Sequence, residues 1–544
     1  MNAVVLLLGA VVIFIIAYVT YGAWLGKKWG IDLKRQTPAH TKFDNVDYVP
    51  ADARILLGHH FSSIAGAGPI TGPIVAAVFG WLPVYLWILV GSIFVGGVHD
   101  YGALFASIRH EGKSIGEIIK DTLGKKGKLL FNIFAWATLI LVVAAFTDIC
   151  AGSFAYDAAK PENLAGAQAG TASMLFIVLA IGFGYFVNKK GKGVGVSTVV
   201  GVILLFLCVW IGYMFPVIKL GKGAWMIILI IYIAVASIMP VWILLQPRDY
   251  LCSFLLYAML IGGVIGIFVS HPSLEIASFT GFTNVRGETL FPFLFVTVAC
   301  GAVSGFHSLI GSGTSSKQID KEGDARLIGY GAMLIEGIVA VVALIAVGAF
   351  AKTEGAPATV FANGLASFMN GFGVPVDVGR VFVLLTFSAF ALTSLDSATR
   401  IGRYIFQETF EETKGGLKKT CTNKWFATMI TVIAAGLLTV CGYEKIWPIF
   451  GSANQLLAAL ALLALSAWLL KIGRSYVMAI IPMVFMFIVT ITALCILIYK
   501  NLFAGGTIAL GILGLLLLIV AILLLIEAYN QLIKNKNKST TKQA

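Results

Sequence analysis

Charged residues are scarce in this 544-residue chain, at 12%, whereas hydrophobic residues make up 59%. A soluble domain has about 25% charged residues, so this composition excludes an ordinary soluble protein. The seven cysteines are dispersed without a C-x-x-C pair, which argues against a disulfide framework and a metal site. The sequence also has no P-loop and no haem-type His or Cys spacing. We therefore predict no bound cofactor and no enzymatic activity.

Apolar segments fill most of the chain, and about fifteen of them are long enough to cross a bilayer. Each is close to the roughly 20 residues that a spanning helix needs. The sequence therefore predicts an all-α polytopic protein of the cell membrane, with the lipid bilayer as its surroundings.

The basic residues report the orientation of these segments. The net charge is +13, from 39 Lys and Arg against 26 Asp and Glu. When the fifteen segments alternate across the membrane, most of the Lys and Arg residues fall in loops on one side, as cytoplasmic loops do. We predict an N-terminus outside and a C-terminus in the cytoplasm. This topology accounts for the positive charge, so no nucleic-acid partner is predicted.

Two apolar stretches that are far apart in the sequence contain similar small-residue segments. Residues 63–68 are SIAGAG and residues 308–313 are SLIGSG. Such residues rarely interrupt a membrane helix unless the backbone lines a cavity. The predicted topology runs the two segments in opposite directions, which indicates two broken helices in an inverted repeat. The alternative is that the small residues only allow close helix packing.

The small residues of these segments are the predicted substrate site. Glycine lets a ligand approach the backbone, serine offers a hydroxyl group, and free N–H groups at a helix break attract anions. The residues are Ser63, Gly66, Gly68, Ser308, Gly311 and Gly313.

Ionisable residues inside apolar segments are costly and are functional candidates by default. Several of them are expected at a similar depth in the cytoplasmic half, and a histidine beside a carboxylate suits proton transfer. The alternative is a buried polar network that fixes helix register, and this is the preferred interpretation for Asp148 and Glu336. The predicted proton-coupling residues are His60, His99, Asp100 and His307.

A turn rich in hydroxyl groups, TSLDSAT, begins at residue 393. Its oxygens suit either Na⁺ or a substrate carboxylate, although H⁺ is preferred over Na⁺ as the coupling ion. Alternatively, the hydroxyl groups bond to carbonyls of their own helix. The residues of this possible site are Thr393, Ser394, Asp396 and Ser397.

Long motifs resemble the carbon starvation protein A family: GHHFSSIAGAGPITGPIVAAVFGWLP from residue 58, GGVHDYGALFASIRHEGKSIGEI from residue 96, QPRDYL from residue 246 and LFPFLFVTVACGAVSGFHSLIGSGTSSKQI from residue 290. The resemblance implies a transporter of the amino acid–polyamine–organocation superfamily, with a LeuT-like core of two inverted five-helix halves. Six predicted spans separate the broken segments, so either two helices are inserted or the repeat is seven plus seven. Pro240, Pro247 and Arg248 are expected to kink and end a helix at the cytoplasmic face.

The resemblance also implies secondary uptake of a nutrient during carbon starvation. The favoured substrate is pyruvate or another small carboxylate, taken up with protons, and peptides are the alternative. A membrane-embedded enzyme or a redox-pump subunit is the alternative of another class. The predicted regions are an N-terminal transmembrane helix, the transporter core, C-terminal transmembrane helices and a basic cytoplasmic tail without regular structure, at residues 1–30, 54–470, 476–532 and 533–544.

Overall fold

The computed structural model describes residues 1–44, 48–160, 163–190, 194–240, 243–350 and 355–541. Nearly all of these residues are helical, and the described ranges contain isolated β-bridges but no strand. A helix satisfies its backbone N–H and C=O groups internally, which is what a hydrocarbon environment requires. The predicted all-α membrane protein is confirmed.

The N-terminal part of the fold holds twelve helices. The first two are joined by a π-helical turn into one span, and α8 contains a kink at Gly124, where φ is 82°. The helices are α1 Ala3–Ala17, α2 Ala23–Trp29, α3 Pro38–Thr41, α4 Ala53–Ile64, α5 Gly68–Ala76, α6 Trp81–Gly91, α7 Gly97–Arg109, α8 Ile115–Phe154, α9 Ala165–Lys190, α10 Val194–Met214, α11 Lys222–Ile238 and α12 Leu245–Ser270.

The C-terminal part holds ten more helices. The last of them continues to Thr541, so the predicted irregular tail from residue 533 is wrong up to that point. Residues 542–544 of the tail lie outside the described residues. The helices are α13 Leu290–Val298, α14 Gly305–Gly313, α15 Ala332–Gly348, α16 Pro357–Asn370, α17 Val376–Thr409, α18 Gly415–Cys421, α19 Lys424–Thr439, α20 Tyr443–Lys471, α21 Val477–Phe503 and α22 Ile508–Thr541.

Twelve helices or helix runs of the described chain are long and apolar enough to cross a membrane. A thirteenth candidate is the pair formed by α4 and Gly68–Phe79, which is bent by 46°. Two shorter apolar helices, α11 and α19, coincide with predicted spans. The total of fifteen spans stays a prediction.

The first predicted break is present between α4 and α5. Pro69 follows Gly68 at the start of α5, and a proline there has no N–H group for a helix that continued from α4. The backbone N–H of Gly66 instead bonds to the carbonyl of Ile64, at 2.8 Å. The chain therefore changes direction at residues 65–67, inside the predicted glycine segment.

The second break is present in the predicted span but not at the predicted residues. It lies between α13 and α14, at residues 299–304, where Ala299 has a φ of 45°. Ser308, Gly311 and Gly313 are helical residues of α14. The SIAGAG segment therefore contains its helix break, whereas the SLIGSG segment lies after the other break. The two segments are not at equivalent positions in the two broken helices.

Helix packing favours two halves of five spans with one inserted pair. We count each broken helix as the first span of its half, so the third spans are α8 and α17, the fourth are α11 and α19, and the fifth are α12 and α20. The two third spans pack on each other. Each fourth span contacts the third span of the other half: α11 on α17, and α19 on α8. Each fifth span packs on the broken helix of its own half, α12 on α4 and α20 on both α13 and α14. The hairpin α9–α10 is then the insertion. Of the two repeat types that the spacing allowed, the packing therefore favours five plus five.

The surface of the helices carries large apolar side chains, as expected beside lipid. The exposed residues include Val12 and Ile16 on α1, Ile203 and Trp210 on α10, and Ile519 on α22. On a soluble protein, exposed apolar area of this extent would cause aggregation. The bilayer covers it.

Candidate functional site

The two helix breaks touch each other in the centre of the protein. A Cβ atom added to Gly68 would lie 2.6 Å from Sγ of Cys300, in the second break. Gly301, in the same break, lies beside Pro69 and Pro73. Glycine is needed at position 68 because a side chain there would push the two breaks apart. The predicted meeting of two broken helices is therefore present.

Gly66 connects the first break with two further helices. An added Cβ at this position would overlap Oγ of Ser394 on α17, and would lie 3.2 Å from the ring of Phe146 on α8. Ser394 is buried, and its hydroxyl has no hydrogen-bond partner within the described structure. An unpaired buried hydroxyl beside a helix break is a group that a ligand can satisfy.

The two predicted serines use their hydroxyl groups inside their own helices. Oγ of Ser63 donates to the carbonyl of His59 at 2.9 Å, and Oγ of Ser308 donates to the carbonyl of Gly305 at 2.7 Å. Gly311 packs on Leu104 at ordinary van der Waals distance, and Gly313 has open space around it. Ser308, Gly311 and Gly313 of α14 lie about one to two and a half turns away from the break.

Three of the predicted proton-coupling residues form one buried chain. Nδ1 of His99 lies 2.7 Å from Oδ1 of Asp100, and Nδ1 of His307 lies 2.8 Å from Oδ2. Nε2 of His307 lies 3.4 Å from a carboxylate oxygen of Glu336. All four side chains are buried, and they join α7, α14 and α15. We call these four residues the His–Asp chain.

His60, the fourth predicted residue, lies near this chain but has a different partner. Its Nδ1 atom lies 2.7 Å from Oγ of Ser315, just after α14. Its neighbour His59 is half-buried and lines a cavity. A second tie between the same regions is the bond from the N–H of Ala51 to the carbonyl of Gln318, at 2.9 Å.

Asp396 of the hydroxyl-rich turn belongs to a separate charged cluster. Its Oδ2 atom accepts hydrogen bonds from Arg248 and from the hydroxyl of Tyr232, the latter at 2.8 Å. Arg248 also contacts Asp249 at 3.0 Å and is only 1% exposed. A helix does end in this region, since α11 ends at Ile238 and α12 begins at Leu245, but Arg248 is buried in the first turn of α12 and does not lie in a loop. In the sequence, a charged residue next to a proline is typical of a loop. Here Arg248 instead neutralises the buried carboxylate of Asp396.

The other hydroxyl groups of the turn differ in their bonding. Thr393 donates to the carbonyl of Ala389 at 2.9 Å, which is the intrahelical alternative weighed for this turn. Ser397 is buried at 6% exposure. Ser394 and Oδ1 of Asp396 remain without hydrogen-bond partners in the described structure. The possible ion or substrate site is thus reduced to these two groups.

Two amide side chains of α20 satisfy the second break and were missed in the sequence. Oδ1 of Asn454 accepts from the N–H of Phe306 at 2.9 Å, and its Nδ2 donates to Oγ of Ser304 at 3.0 Å. The amide of Gln455 donates to the carbonyl of Phe295 at 2.5 Å. Adjacent Asn and Gln within an apolar span were the available signal, because such amides need partners in a membrane.

Two cavities approach the breaks from opposite sides. The inner cavity has a volume of about 530 Å³, and His59, Ser312, Gly313, Arg400 and Glu408 are among its lining residues. The outer cavity has a volume of about 480 Å³ and reaches Thr71 in α5 and Phe387 in α17. The lining of neither cavity contains Gly66 or Gly68, so in this conformation the described breaks separate the two cavities. We call these the inner cavity and the outer cavity, following the topology predicted from the basic residues.

No cluster of three or more His, Cys, Asp or Glu side chains among the described residues has the arrangement of a metal site. In the His–Asp chain, the two histidines are paired with Asp100, whereas both carboxylate oxygens of Glu336 have no hydrogen-bond partner in the described structure. Such a pairing can hold or pass a proton but does not converge on a central ion.

Comparison with known proteins agrees with the resemblance seen in the motifs. The family described as carbon starvation protein CstA matches residues 2–354 and 349–493. A relative from Bacillus subtilis (strain 168), named peptide transporter CstA, is 33% identical over 97% of this chain and 96% of its own length. A relative from Escherichia coli (strain K12), named pyruvate/proton symporter BtsT, is 32% identical over 91% of this chain and 81% of its own length.

Solved structures also resemble this chain. One is a mutant of the manganese transporter from Eremococcus coleocola, which is 12% identical, with a TM-score of 0.48, over 89% of this chain and 95% of that one. This similarity is too low to support an argument about function. The family match spans nearly the whole chain and includes both broken helices and the His–Asp chain, so this protein is a membrane transporter and belongs to the carbon starvation protein CstA family.

Proposed function

We propose that this transporter takes up a small carboxylate, with pyruvate as the first candidate, together with protons. The observation that carries this proposal is the buried His–Asp chain, which joins the inner half of the second broken helix to α7 and α15. Ionisable groups are expensive at this depth and are usually functional. A transport role requires no catalytic residues, and we propose no enzymatic activity for the chain.

In this proposal the His–Asp chain links protonation to helix movement. Asp100 accepts contacts from two histidines on two different helices, so the proton occupancy of this group changes the attraction between α7 and α14. A ligand or proton shifts a conformational equilibrium only if it binds one state more tightly. Of these two helices, α14 is the inner half of the second broken helix. This supports coupling between proton binding and opening toward the cytoplasm.

The surroundings of Asp396 support protons over Na⁺ as the coupling ion. Arg248 already places a positive charge on this carboxylate, and a cation brought to the same oxygens would meet electrostatic repulsion. The hydroxyl of Thr393 is committed to its own helix. We therefore assign Ser394, beside Gly66, to substrate rather than to an ion.

Peptide uptake is the second candidate for the substrate, because relatives of this chain are named peptide transporters. Both substrates carry a carboxylate that backbone N–H groups at a helix break can bind. Counterflow in proteoliposomes, with labelled pyruvate and labelled dialanine in parallel, separates the two. Exchange of dialanine without exchange of pyruvate would reverse the order of the candidates.

We expect uptake to follow the pH gradient. A symporter that carries one proton with one monovalent carboxylate accumulates its substrate about tenfold for each unit of pH difference, since one pH unit is worth about 1.4 kcal/mol. Proteoliposomes with an acidic exterior should therefore concentrate pyruvate and acidify their interior, as read by a trapped pH dye. A protonophore should abolish both effects. Accumulation that follows an imposed Na⁺ gradient at equal pH would contradict proton coupling.

We expect the N-terminus to face the outside and the Lys- and Arg-rich loops to face the cytoplasm. In a variant without the native cysteines, Val285→Cys should react with an impermeant maleimide added to intact cells, because Val285 is 91% exposed in an outer loop. Leu33→Cys, on the opposite side, is 75% exposed and should react only after permeabilisation. The reverse labelling pattern would invert the topology.

A further inference from the structure

Arg380 is a cation of the outer cavity whose charge is poorly compensated. Among the described residues it contacts the carboxylate of Asp377, at 3.6 Å, and the side chain of Asp377 is 77% exposed to the surroundings. Such exposed pairs bind weakly. The Nε atom of Arg380 is buried and has no hydrogen-bond partner in the described structure. Arg380 also lines the outer cavity, and its side chain is 39% exposed, so a ligand in the cavity can reach it.

The other charged residues of the outer cavity neutralise each other. Nζ of Lys222 lies 2.8 Å from Oδ1 of Asp148, and the N–H of Tyr443 donates to Oδ2 at 2.9 Å. Arg380 is the third charged residue among the described residues that line this cavity, so these residues carry a net charge of +1. A cleft with one sign of charge raises the local concentration of the opposite ion. The outer cavity therefore favours anions.

The inner end of the outer cavity reaches the first broken helix. Thr71 lies in the first turns of α5, is 1% exposed, and has a hydroxyl without a hydrogen-bond partner in the described structure. It lines the same cavity as Arg380. A cavity with a free guanidinium group and an unsatisfied hydroxyl beside the helix break is a suitable entrance for a small polar anion.

We propose that the outer cavity is a first binding site for the carboxylate group of the substrate, and that Arg380 is its ligand. The guanidinium has the fork geometry that binds a carboxylate through two parallel N–H bonds. The substrate then moves past Thr71 to the break at residues 65–67. This inference rests on the proposed carboxylate uptake, and it adds a second, outer site to that function.

Arg380→Gln tests the outer site through the concentration and salt dependence of uptake. In proteoliposomes with wild-type protein, the initial rate of pyruvate uptake should fall as NaCl is raised, because salt screens the cavity. The Arg380→Gln variant should have a KM raised about tenfold, a maximal rate within about twofold of wild type, and little salt dependence. Arg380→Lys keeps the charge but loses the fork, so its KM should be intermediate.

Asp377→Asn is the matched control, since it removes the exposed partner of Arg380 and leaves the cavity intact. Its KM should equal that of wild type or fall below it. Melting temperatures of all variants in detergent identify any that are merely unstable. If Arg380→Gln keeps the wild-type KM and the wild-type salt dependence, the outer site is contradicted.

The proposed function can fail without deciding the outer site. If the wild-type protein exchanges dialanine but not pyruvate, the same kinetic comparison is made with dialanine, which also carries a carboxylate. If it transports neither, the proposed function is contradicted. The outer site is then tested by equilibrium binding of labelled pyruvate to purified wild-type and Arg380→Gln protein. Equal binding by the two proteins would contradict it.

Discussion

Asp100→Asn should abolish accumulation of substrate driven by a pH gradient and leave counterflow partly intact. The asparagine side chain keeps the shape of Asp100 but carries no charge, and it cannot accept contacts from both His99 and His307 on two oxygens. Without a titratable group at this position, the accumulation ratio under a gradient of one pH unit should fall from about tenfold to about 1. Counterflow needs no net proton movement, so it reports on the remaining substrate pathway.

The controls for this variant separate coupling from folding. Asp121→Asn makes the same chemical change at an exposed position near the start of α8, and it should behave as wild type. Removing one partner from a buried ionic cluster often costs about 3–5 kcal/mol, so the melting temperature of Asp100→Asn is measured as well. A folded Asp100→Asn variant that still concentrates pyruvate normally would show that Asp100 is structural.

Gly66→Ala should remove uptake, because there is no room for a methyl group at the first break. The added Cβ would overlap Oγ of Ser394 and approach Phe146 to 3.2 Å, so the break must shift away from α17. Overpacking of this kind typically costs about 1–3 kcal/mol, which corresponds to a loss of about 5- to 150-fold in affinity if it falls on the binding state. Substrate affinity and melting temperature are measured on the same purified protein.

Two further variants test whether the effect of Gly66→Ala comes from the steric overlap at this position. Gly313→Ala introduces the same methyl group into open space at the end of α14, and it should keep wild-type uptake. Combining Gly66→Ala with Ser394→Gly removes the overlapping atoms together with a proposed substrate ligand, so it should restore part of the lost melting temperature but not the affinity, as a double-mutant cycle measures. A Gly66→Ala variant that is unstable but binds substrate with unchanged affinity would show that Gly66 serves only packing.

The sequence predicted those features whose burial in a bilayer costs free energy, namely helix breaks and charged side chains. A lipid environment tolerates glycine-rich breaks and intramembrane charges only where they have a role, so the first break, His99 and Asp100 could be identified without coordinates. Glu336 joins the same chain, although a structural role was preferred for it. A single carboxylate in an apolar helix gives no information about its partner, which here lies on α14.

Other parts of the site depend on packing that the sequence does not specify. The second break falls at residues 299–304 because Asn454 satisfies the exposed backbone beside it, and that residue is 148 positions away from Phe306. Arg248 resembles a loop residue beside Pro247, yet α12 starts before it and carries it to Asp396. In both cases the deciding partner is distant in the sequence, so local patterns give no sign of it.

The hydrogen bonds between Ala51 and Gln318 and between His60 and Ser315 have a consequence for how tightly movement of the substrate is coupled to movement of the ion. They hold the chain before and within α4 against the segment that follows α14, so we expect the inner halves of both broken helices to move together. If the two halves moved separately, substrate could be released while a proton stayed bound, and under the proposed proton coupling the ion gradient would be dissipated without uptake. Joint movement would instead release substrate and proton in one step, which would keep the number of protons used per substrate constant.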